Sequence, residues 1–352
     1  MARLINPYCL SSFLAFRYLV DPAAEWVPGI RPAYHEVSTQ GQIPVETMAE
    51  IETRLRELVA SRLTPTTGIL LSGGIDSAIL AALLPAGTRA YTIKFNADRF
   101  LDESIQARVY AERLHLRHAV VEIDWPDYAA FGPALMRRKK APLHAIEVSL
   151  HKAALAAKAD GLDKLIVGNG ADSTFGGMDK LLARDWTLAD FYRRYTFVDP
   201  FAALCQPVDL HSVYETYLRP DGNIDIQRFL KTVHGIGIIQ SFETAIHAAG
   251  LSLLEPFEQL RYTQPLDLAR IRSGESKYLL KALFRRLYDG LEPPEKIPFA
   301  RPMDIWLADW TGPMRPEFKA GVNWRAFTGD QRWLIYVLEQ FLHLLEAGRI
   351  DG

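Results

Sequence analysis

The stretch TTGILLSGGIDSAILAALL, residues 66–84, constrains the fold of this chain more than any other feature. An apolar run ends in a turn with the sequence SGGIDS, and a second apolar run follows the turn. Residues 68–71 predict a buried parallel strand, and residues 78–84 predict the helix that comes after it. The turn is therefore expected where a strand passes into the N-terminus of a helix.

Such a turn favours an anionic ligand, because free backbone N–H groups and the positive end of the helix dipole converge on it. Gly73 and Gly74 let the backbone approach a phosphate closely, and Ser72 and Ser77 add hydroxyl donors. Asp76 can hold a Mg²⁺ that bridges to the phosphate, which predicts a metal–nucleotide complex. A Walker-type loop is not indicated, since no Lys follows the glycines. The alternative is an ordinary tight turn that Ser77 caps.

Composition limits the remaining possibilities. The chain has 352 residues, 49% of them hydrophobic, which suffices for one large domain or two. Its net charge of −2 gives no reason to expect a nucleic acid or an anionic membrane as partner. Only two cysteines are present, which argues against a disulfide framework or a multi-Cys metal site and fits a reducing compartment. With no signal peptide or long apolar run, we expect a cytoplasmic protein with a small-molecule partner.

Periodicity divides the chain into three parts. Residues 1–45 contain five prolines and are expected to be an irregular extension that wraps the main body. Residues 46–185 begin with an amphipathic helix (46–63) and then alternate strands and helices, which predicts an α/β fold with a parallel sheet covered on both faces. The predicted strands are 68–71, 90–95, 118–123 and 164–168, and the predicted helices are 78–84, about 102–114, and 147–159. Residues 186–352 are expected to be mostly helical, with helical patterns at 225–250, 276–290 and 330–348.

A second acidic loop, VGNGADSTFGGMD at residues 167–179, follows the last predicted strand. Ligands of open parallel sheets bind beyond the carboxyl ends of the strands, where this loop and the loops after residues 71 and 95 all lie. Asp172 stands between glycines and is expected to share one Mg²⁺ with Asp76. The alternative is a glycine-rich turn in which Asp172 caps a helix.

The motifs SGGIDS, DES (102–104) and GNGADSTFGG resemble the synthetase domain of asparagine synthetases, within the PP-loop ATP pyrophosphatase superfamily. The similarity covers roughly residues 45–310 and continues into SKYLLKALFRRL and PPEKIPFARPMDIWL. The family pattern Lys-x-Gly-Phe-x-x-Pro-x-x-x-Trp is matched by Lys296, Phe299, Pro302 and Trp306, with Pro298 in place of Gly. Related enzymes include β-lactam synthetases and lasso-peptide cyclases. The resemblance implies an adenine-nucleotide alpha-hydrolase-like, Rossmann-like fold.

The resemblance also implies a chemistry, namely ATP cleavage between the α- and β-phosphates and adenylation of a substrate carboxylate. Lys296 would then be the fixed cation that stabilises charge during transfer, and Asn169 would lie on the amine side. The implied ATP-binding residues are Leu71, Ser72, Gly73, Gly74, Asp76, Ser77, Ile93, Phe95, Gly168 and Lys277, with Asp76 and Asp172 as Mg²⁺ ligands. Read without the resemblance, Lys296 is a solvated loop lysine, and Ile93 and Phe95 are ordinary residues of a buried strand.

Several other polar residues are interpreted as structural. Asp102, Glu103 and Ser104 are expected to cap the helix that they precede. The MRRKK run at 136–140 is interpreted as a solvated face, and His115 and His118 have no clustered acids or cysteines that would suggest a metal.

Three departures from the family pattern concern the nitrogen donor and the acid. Asparagine synthetases carry a glutaminase domain with a nucleophilic Cys at position 2, where this chain has Ala2, so nitrogen is expected from free ammonia, a separate glutaminase subunit or an amine on the substrate. Asn169 replaces a Glu thought to serve amine attack, and Ser173 replaces the usual acid after Asp172. In LLEPFEQ (253–259), Leu254, Glu258 and Gln259 replace the family Arg, Leu and Asp.

These departures argue against aspartate as the substrate, whereas the ATP-binding motifs are intact. We therefore expect an AMP-forming amide synthetase that acts on a specialised carboxylic acid and takes ammonia or an amine. The alternatives are an ammonia-dependent asparagine synthetase, an intramolecular amide-forming cyclase, a tRNA-modifying adenylating enzyme, and a non-catalytic nucleotide-binding partner subunit. The tRNA alternative is disfavoured because Cys205 is isolated and the charge balance is neutral. The sequence does not decide between a monomer and a homodimer.

Overall fold

The computed structural model describes residues 5–37, 41–98, 100–295 and 301–350. The strands within those ranges are β1 Ile43–Val45, β2 Thr67–Leu70, β3 Arg89–Phe95, β4 Arg117–Ile123, β5 Lys164–Ile166, β6 Ser252–Leu254 and β7 Leu260–Tyr262. The helices are α1 Pro7–Phe16, α2 Met48–Arg62, α3 Ile75–Ala81, α4 Ser104–Arg113, α5 Trp125–Lys139, α6 Glu147–Ala159, α7 Ala171–Thr174, α8 Asp179–Leu182, α9 Leu188–Tyr195, α10 Pro200–Ala203, α11 His211–Glu215, α12 Ile226–Phe229, α13 Gly235–Ala248, α14 Leu268–Arg272, α15 Tyr278–Leu287, α16 Met303–Trp306 and α17 Gly329–Glu346. A π-helical turn, Leu230–His234, joins α12 to α13.

The main sheet has five strands in the order β4-β3-β2-β5-β6, and every pairing is parallel. The four predicted strands are all present, and β5 is shorter than its predicted range of 164–168. A second sheet contains β1 and β7 alone. The fold is thus the α/β class with a parallel sheet that the sequence predicted.

Two hydrophobic cores cover the two faces of the main sheet. Ile69 of β2 and Ala90 of β3 belong to one core, together with apolar residues of α2, α3 and α15. Tyr91, the next residue of β3, belongs to the other core with residues of α1, α5, α6 and α17. Successive side chains of a strand point to opposite faces, so a parallel sheet of this kind is buried on both sides.

Two expectations for structural elements were wrong. Residues 1–45 are not irregular throughout, because α1 buries Phe13 and Leu14 in the core. Its first residue, Pro7, is favourable there since the N1 position needs no N–H donor, and the side chain of Asn6 caps the helix.

The MRRKK run is likewise not a solvated face along its whole length. It ends α5, and Lys139 is 1% exposed with its Nζ 2.5 Å from Glu147 Oε1, also buried. The mostly helical second half also contributes a strand to the main sheet, because β6 pairs with β5. A strand of three residues carries too little alternation for a pattern in the sequence to predict it.

The strand order reverses beside β2, and this reversal positions the site. From β2 the chain runs outward through β3 to β4, and then returns to form β5 on the other side of β2. The loops that follow β2 and β5 therefore diverge at the carboxyl edge and leave a crevice, which is where open α/β sheets bind ligands. In the described part of the chain, no helix combines the length and the apolar character needed to cross a bilayer.

Candidate active site

The turn after β2 is closed by its own two serines. Ser72 N–H donates to Ser77 Oγ over 2.9 Å, the two hydroxyls lie 2.9 Å apart, and Gly74 N–H donates to Ser72 Oγ over 3.2 Å. Gly74 is the N-cap of α3, and no side chain among the described residues caps that helix. The interpretation of Ser77 as a helix cap is therefore wrong, because Ser77 Oγ closes the turn by accepting from Ser72 N instead.

The turn already holds one anionic group. Gly73 N–H hydrogen-bonds the carboxylate of Glu103, whose pKa is raised by burial and partly lowered again by this bond. A Cβ at Gly73 would lie 3.3 Å from the Glu103 carbonyl oxygen and from Gln106 Cβ. A residue without a side chain at position 73 therefore lets the turn pack closely against the start of α4.

The loop after β5 lies directly against this turn. A Cβ at Gly168 would lie 2.9 Å from Ser77 N and 3.1 Å from Asp76 Cβ, so only glycine lets the two segments approach so closely. Asp172 lies in α7, whose N-cap is Gly170, and no described side chain caps α7. The alternative in which Asp172 caps a helix is therefore wrong.

Lys277 joins the two acidic loops. Its Nζ lies 2.5 Å from Asp76 Oδ2 and 2.8 Å from Asp172 Oδ1, and its side chain is 6% exposed. Burial alone would lower the pKa of Lys277, but the charges of Asp76 and Asp172 outweigh burial and raise it. The structure thus brings together three predicted site residues from β2–α3, β5–α7 and the start of α15.

The donor set fits a magnesium ion. Asp76 and Asp172 direct carboxylate oxygens at a single ammonium nitrogen, so a compact cation can bind both. Carboxylates beside bound phosphates are the usual protein ligands of Mg²⁺. Gly177 keeps this space open, since a Cβ there would lie 1.9 Å from Asp172 Oδ1 and 2.3 Å from Lys277 Cε.

Asn169 lies on the other side of the same loop, between two glutamates. Its Nδ2 donates to Glu255 Oε1 over 2.9 Å and approaches Glu258 Oε1 at 3.3 Å. Glu255 follows β6 directly, and Glu258 lies in the 3₁₀ turn Phe257–Gln259. Gly170 has a positive φ of 92°, and a Cβ at this position would lie 2.8 Å from Glu258 Cδ. The two segments therefore pack closely here.

Both glutamates have pKa values near neutrality. Burial raises the pKa of Glu255 to about 8, the Asn169 amide partly lowers it, and the charges of Glu258 and Glu243 raise it further. Burial also raises the pKa of Glu258 to about 7, against the opposing charge of Lys231. Such interacting carboxyls titrate as a pair, and one of them can act as a base near pH 7.

Neither glutamate is recognisable as a functional residue from the sequence pattern alone. Glu258 was noted only as a departure from the family pattern, and Glu255 was passed over. Prediction of β6 as a strand would have indicated Glu255, because a carboxylate directly after a strand of the main sheet lies at the ligand-binding edge.

The other predicted residues lie around this centre. Ile93 and Phe95 are in β3, and Phe95 packs edge-to-face on Trp306 of the Pro-x-x-x-Trp motif, with 5.9 Å between ring centroids. Asp102 accepts a hydrogen bond from Ser104 N at the start of α4, which is consistent with its expected capping role. His118 bonds the Thr92 hydroxyl. Lys296, Pro298 and Phe299 fall outside the described residues.

Comparison with known proteins decides the family. The family model described as asparagine synthase matches residues 50–226. The chain belongs to the asparagine synthase family. The matched region contains both loops that carry Asp76 and Asp172, so the family assignment and the geometry concern the same site. Family membership supports ATP as the nucleotide and a ligase type of reaction.

Individual relatives are more distant. A protein described as the amidase chry2 of Gibberella zeae is 29% identical over 154 residues, which cover 38% of this chain and 23% of that protein. The chain therefore spans about a quarter of the length of this relative.

Among solved structures, the U34-tRNA thiolase NcsA of Methanococcus maripaludis with its 4Fe–4S cluster is similar to this chain at 16% identity and a TM-score of 0.28, covering 71% of this chain and 82% of that one. An NMN synthetase from Francisella tularensis is similar at 17% identity and a TM-score of 0.26, covering 72% of this chain and 96% of that one. Because these TM-scores are low, the classification of the chain rests on the family match.

Proposed function

We propose that this protein is an ATP-dependent, AMP-forming ligase that joins a carboxylic acid other than aspartate to an amine. The observation that carries the proposal is the position of the Glu255–Asn169–Glu258 cluster, because Asn169 lies on the same loop as Asp172. The nucleotide half and the amine half of an amide synthesis would thus share one crevice.

In the first half-reaction, a substrate carboxylate oxygen attacks the α-phosphorus of ATP and pyrophosphate leaves. The backbone amides of the SGGIDS turn would hold the pyrophosphate, and Lys277 would balance its charge. Asp76 and Asp172 would hold a Mg²⁺, which supplies positive charge to the phosphate oxygens when bound. The pairing of Lys277 with both carboxylates supports one common cation-binding position at this point.

In the second half-reaction, an amine attacks the acyl carbon of the acyl-adenylate and AMP leaves. The amine must lose a proton, and Asn169 cannot accept one. Glu255 and Glu258 are suited to this step, because pKa values of about 8 and 7 make one carboxylate available and keep it basic. Two carboxyl groups facing one amide also favour a donor that enters as a cation, either ammonium or a primary ammonium group.

The proposal that the substrate acid is not aspartate rests on the same cluster. Leu254 and Glu258 stand where the family pattern has Arg and Leu, so position 254 does not supply the family cation for a second substrate carboxylate, and position 258 carries an extra acid. An acid with a neutral or basic group beyond the activated carboxylate is therefore the expected substrate class.

The experiment separates the two half-reactions. Purified protein is incubated with Mg-ATP, a panel of carboxylic acids that includes aspartate, and ammonium or primary amines, and AMP and amide are measured by mass spectrometry. Isotope exchange between pyrophosphate and ATP, dependent on the acid alone, reports adenylation. We expect Glu255→Gln and Glu258→Gln to retain the exchange and lose amide formation.

Glu57→Gln is the matched control, because Glu57 is exposed and pairs with Arg54 on the same helix, α2, rather than with a site residue. Efficient conversion of aspartate and ammonium with no better acid would refute the substrate class. Loss of both half-reactions in the Glu255 and Glu258 variants would refute their role as the base, and measurable ATP binding without AMP from any acid would favour a non-catalytic subunit.

A further inference from the structure

A cluster of two histidines and a glutamate lies outside the ATP-binding loops. His35 belongs to the N-terminal segment, and Glu243 and His247 lie on α13. The potential ligand atoms of the three residues are all within 4.8 Å of one another, and each side chain is partly buried. No role in nucleotide binding or amide formation has been assigned to these residues above.

The helix presents its two ligands on one face. Positions 243 and 247 are four residues apart, which places their side chains one above the other. His247 Nδ1 lies 3.0 Å from Glu243 Oε2. This oxygen is nevertheless buried and makes no hydrogen bond among the described residues, so it has unused capacity to coordinate a cation.

The third ligand is held against the same helix by Gln240. His35 N–H donates to Gln240 Oε1 over 2.8 Å, and Gln240 Nε2 donates to the His35 carbonyl oxygen over 2.8 Å. Gln240 is 2% exposed and lies one turn before Glu243. The rings of His35 and His247 are 4.8 Å apart between centroids and tilted by 56°, so they are not stacked face to face. These two bonds therefore hold the backbone of His35 against α13, within reach of Glu243 and His247.

We propose that His35, Glu243 and His247 bind one divalent transition-metal ion of the Zn²⁺ class. Two imidazoles and one carboxylate are a ligand set that suits zinc, whereas Mg²⁺ prefers oxygen ligands alone. Ligand bonds of about 2.0–2.1 Å require the donor atoms to lie roughly 3.4 Å from one another. The present separations, from 3.0 Å up to 4.8 Å, bracket this value, so small side-chain rotations can supply it. Three protein ligands leave a fourth position open to water or to a ligand.

The site would join the N-terminal segment to α13. The charge of Glu243 also contributes to the raised pKa of Glu255, after burial and the charge of Glu258. Gln240 is a positioning residue in this arrangement, because it touches His35 and not the metal.

The test uses the full-length protein after treatment with a chelator and desalting, and the probes are Zn²⁺ alone and Co²⁺ alone. We expect one Zn²⁺ per chain in isothermal titration and visible d–d absorption bands with Co²⁺. His35→Ala and His247→Ala should abolish stoichiometric binding, and Gln240→Ala should weaken it by about 10–100-fold, as is usual for residues that orient a ligand.

His211→Ala is the matched control, because His211 also pairs with a carboxylate, its Nδ1 lying 2.5 Å from Asp209 Oδ1, and no third potential ligand completes a cluster there within the described ranges. This variant should keep full Zn²⁺ binding. Circular dichroism of each variant shows whether it is folded. The proposal is overturned if the wild-type protein binds no stoichiometric Zn²⁺, or if the folded His35 and His247 variants bind it as the wild type does.

Discussion

Removal of the ammonium group of Lys277 tests the cation site at the centre of the crevice. In Lys277→Met, the carboxylates of Asp76 and Asp172 lose the ammonium group that lies between them. Breaking a fully buried pair costs about 3–5 kcal/mol, but Asp76 and Asp172 are 21% and 43% exposed at their side chains, so solvent screens part of the repulsion. We therefore expect a loss of about 1–3 kcal/mol in the free energy of unfolding.

Differential scanning calorimetry measures this loss. At about 2.1 cal/mol/K per residue, a chain of 352 residues has an unfolding entropy of about 0.7 kcal/mol/K, so the expected decrease in Tm is about 1–4 °C. Mg²⁺ should restore part of the stability of the variant and affect the wild type less, since it binds where the ammonium group was.

The control is Lys281→Met, one turn further along α15, where the same exchange of residue types leaves Asp76 and Asp172 paired with Lys277. A Lys277→Met protein as stable as the wild type, with no specific response to Mg²⁺, would contradict the argument that the two carboxylates form one cation site.

Three further predictions concern other parts of the chain. Gly177→Ala places a methyl group 1.9 Å from Asp172 Oδ1, so Mg-ATP affinity in equilibrium dialysis should fall at least tenfold, and unchanged affinity would exclude Asp172 from the site. Lys139→Met leaves Glu147 buried without its cation and should cost about 3–5 kcal/mol in denaturant unfolding, most of which the added change Glu147→Gln should restore. The amide-forming rate should rise with pH through about 7 to 8, because Glu255 or Glu258 must be ionised to accept a proton, whereas a pH-independent rate would exclude both.

The sequence was most informative where local chemistry alone determines structure. The SGGIDS turn required a strand before it and a helix after it, and the structure has both β2 and α3. The same holds for the position of Asp76 and Asp172, since strand ends of a parallel sheet meet at one edge and the strand order brings β2 and β5 together.

The sequence was less informative where a residue's partner lies far along the chain. Lys139 ends a basic run and gives no local sign of burial, because Glu147 and the packing of α5 against α6 decide it. Pro7 was interpreted as a break, although a proline at the first position of a helix favours it. The role of Lys277 as the link between the acidic loops depends on contacts across about 100–200 residues, which no periodicity contains.

The pairing of β5 with β6 explains how Asn169 can replace the family Glu. β5 and β6 are parallel and in register, with Ile166 opposite Leu254, so the loops that follow them leave the sheet side by side. A carboxylate absent from the first loop can therefore be supplied by the second, and Glu255 lies one residue beyond the end of β6 and within 2.9 Å of the Asn169 amide. The turn after β2 is on the other side of β5 and need not change. The acceptor side of such a site can thus be altered by exchanging residues between two adjacent loops. We therefore expect Asn169→Glu to place a third acid in the cluster and to impair amide formation while leaving adenylation intact.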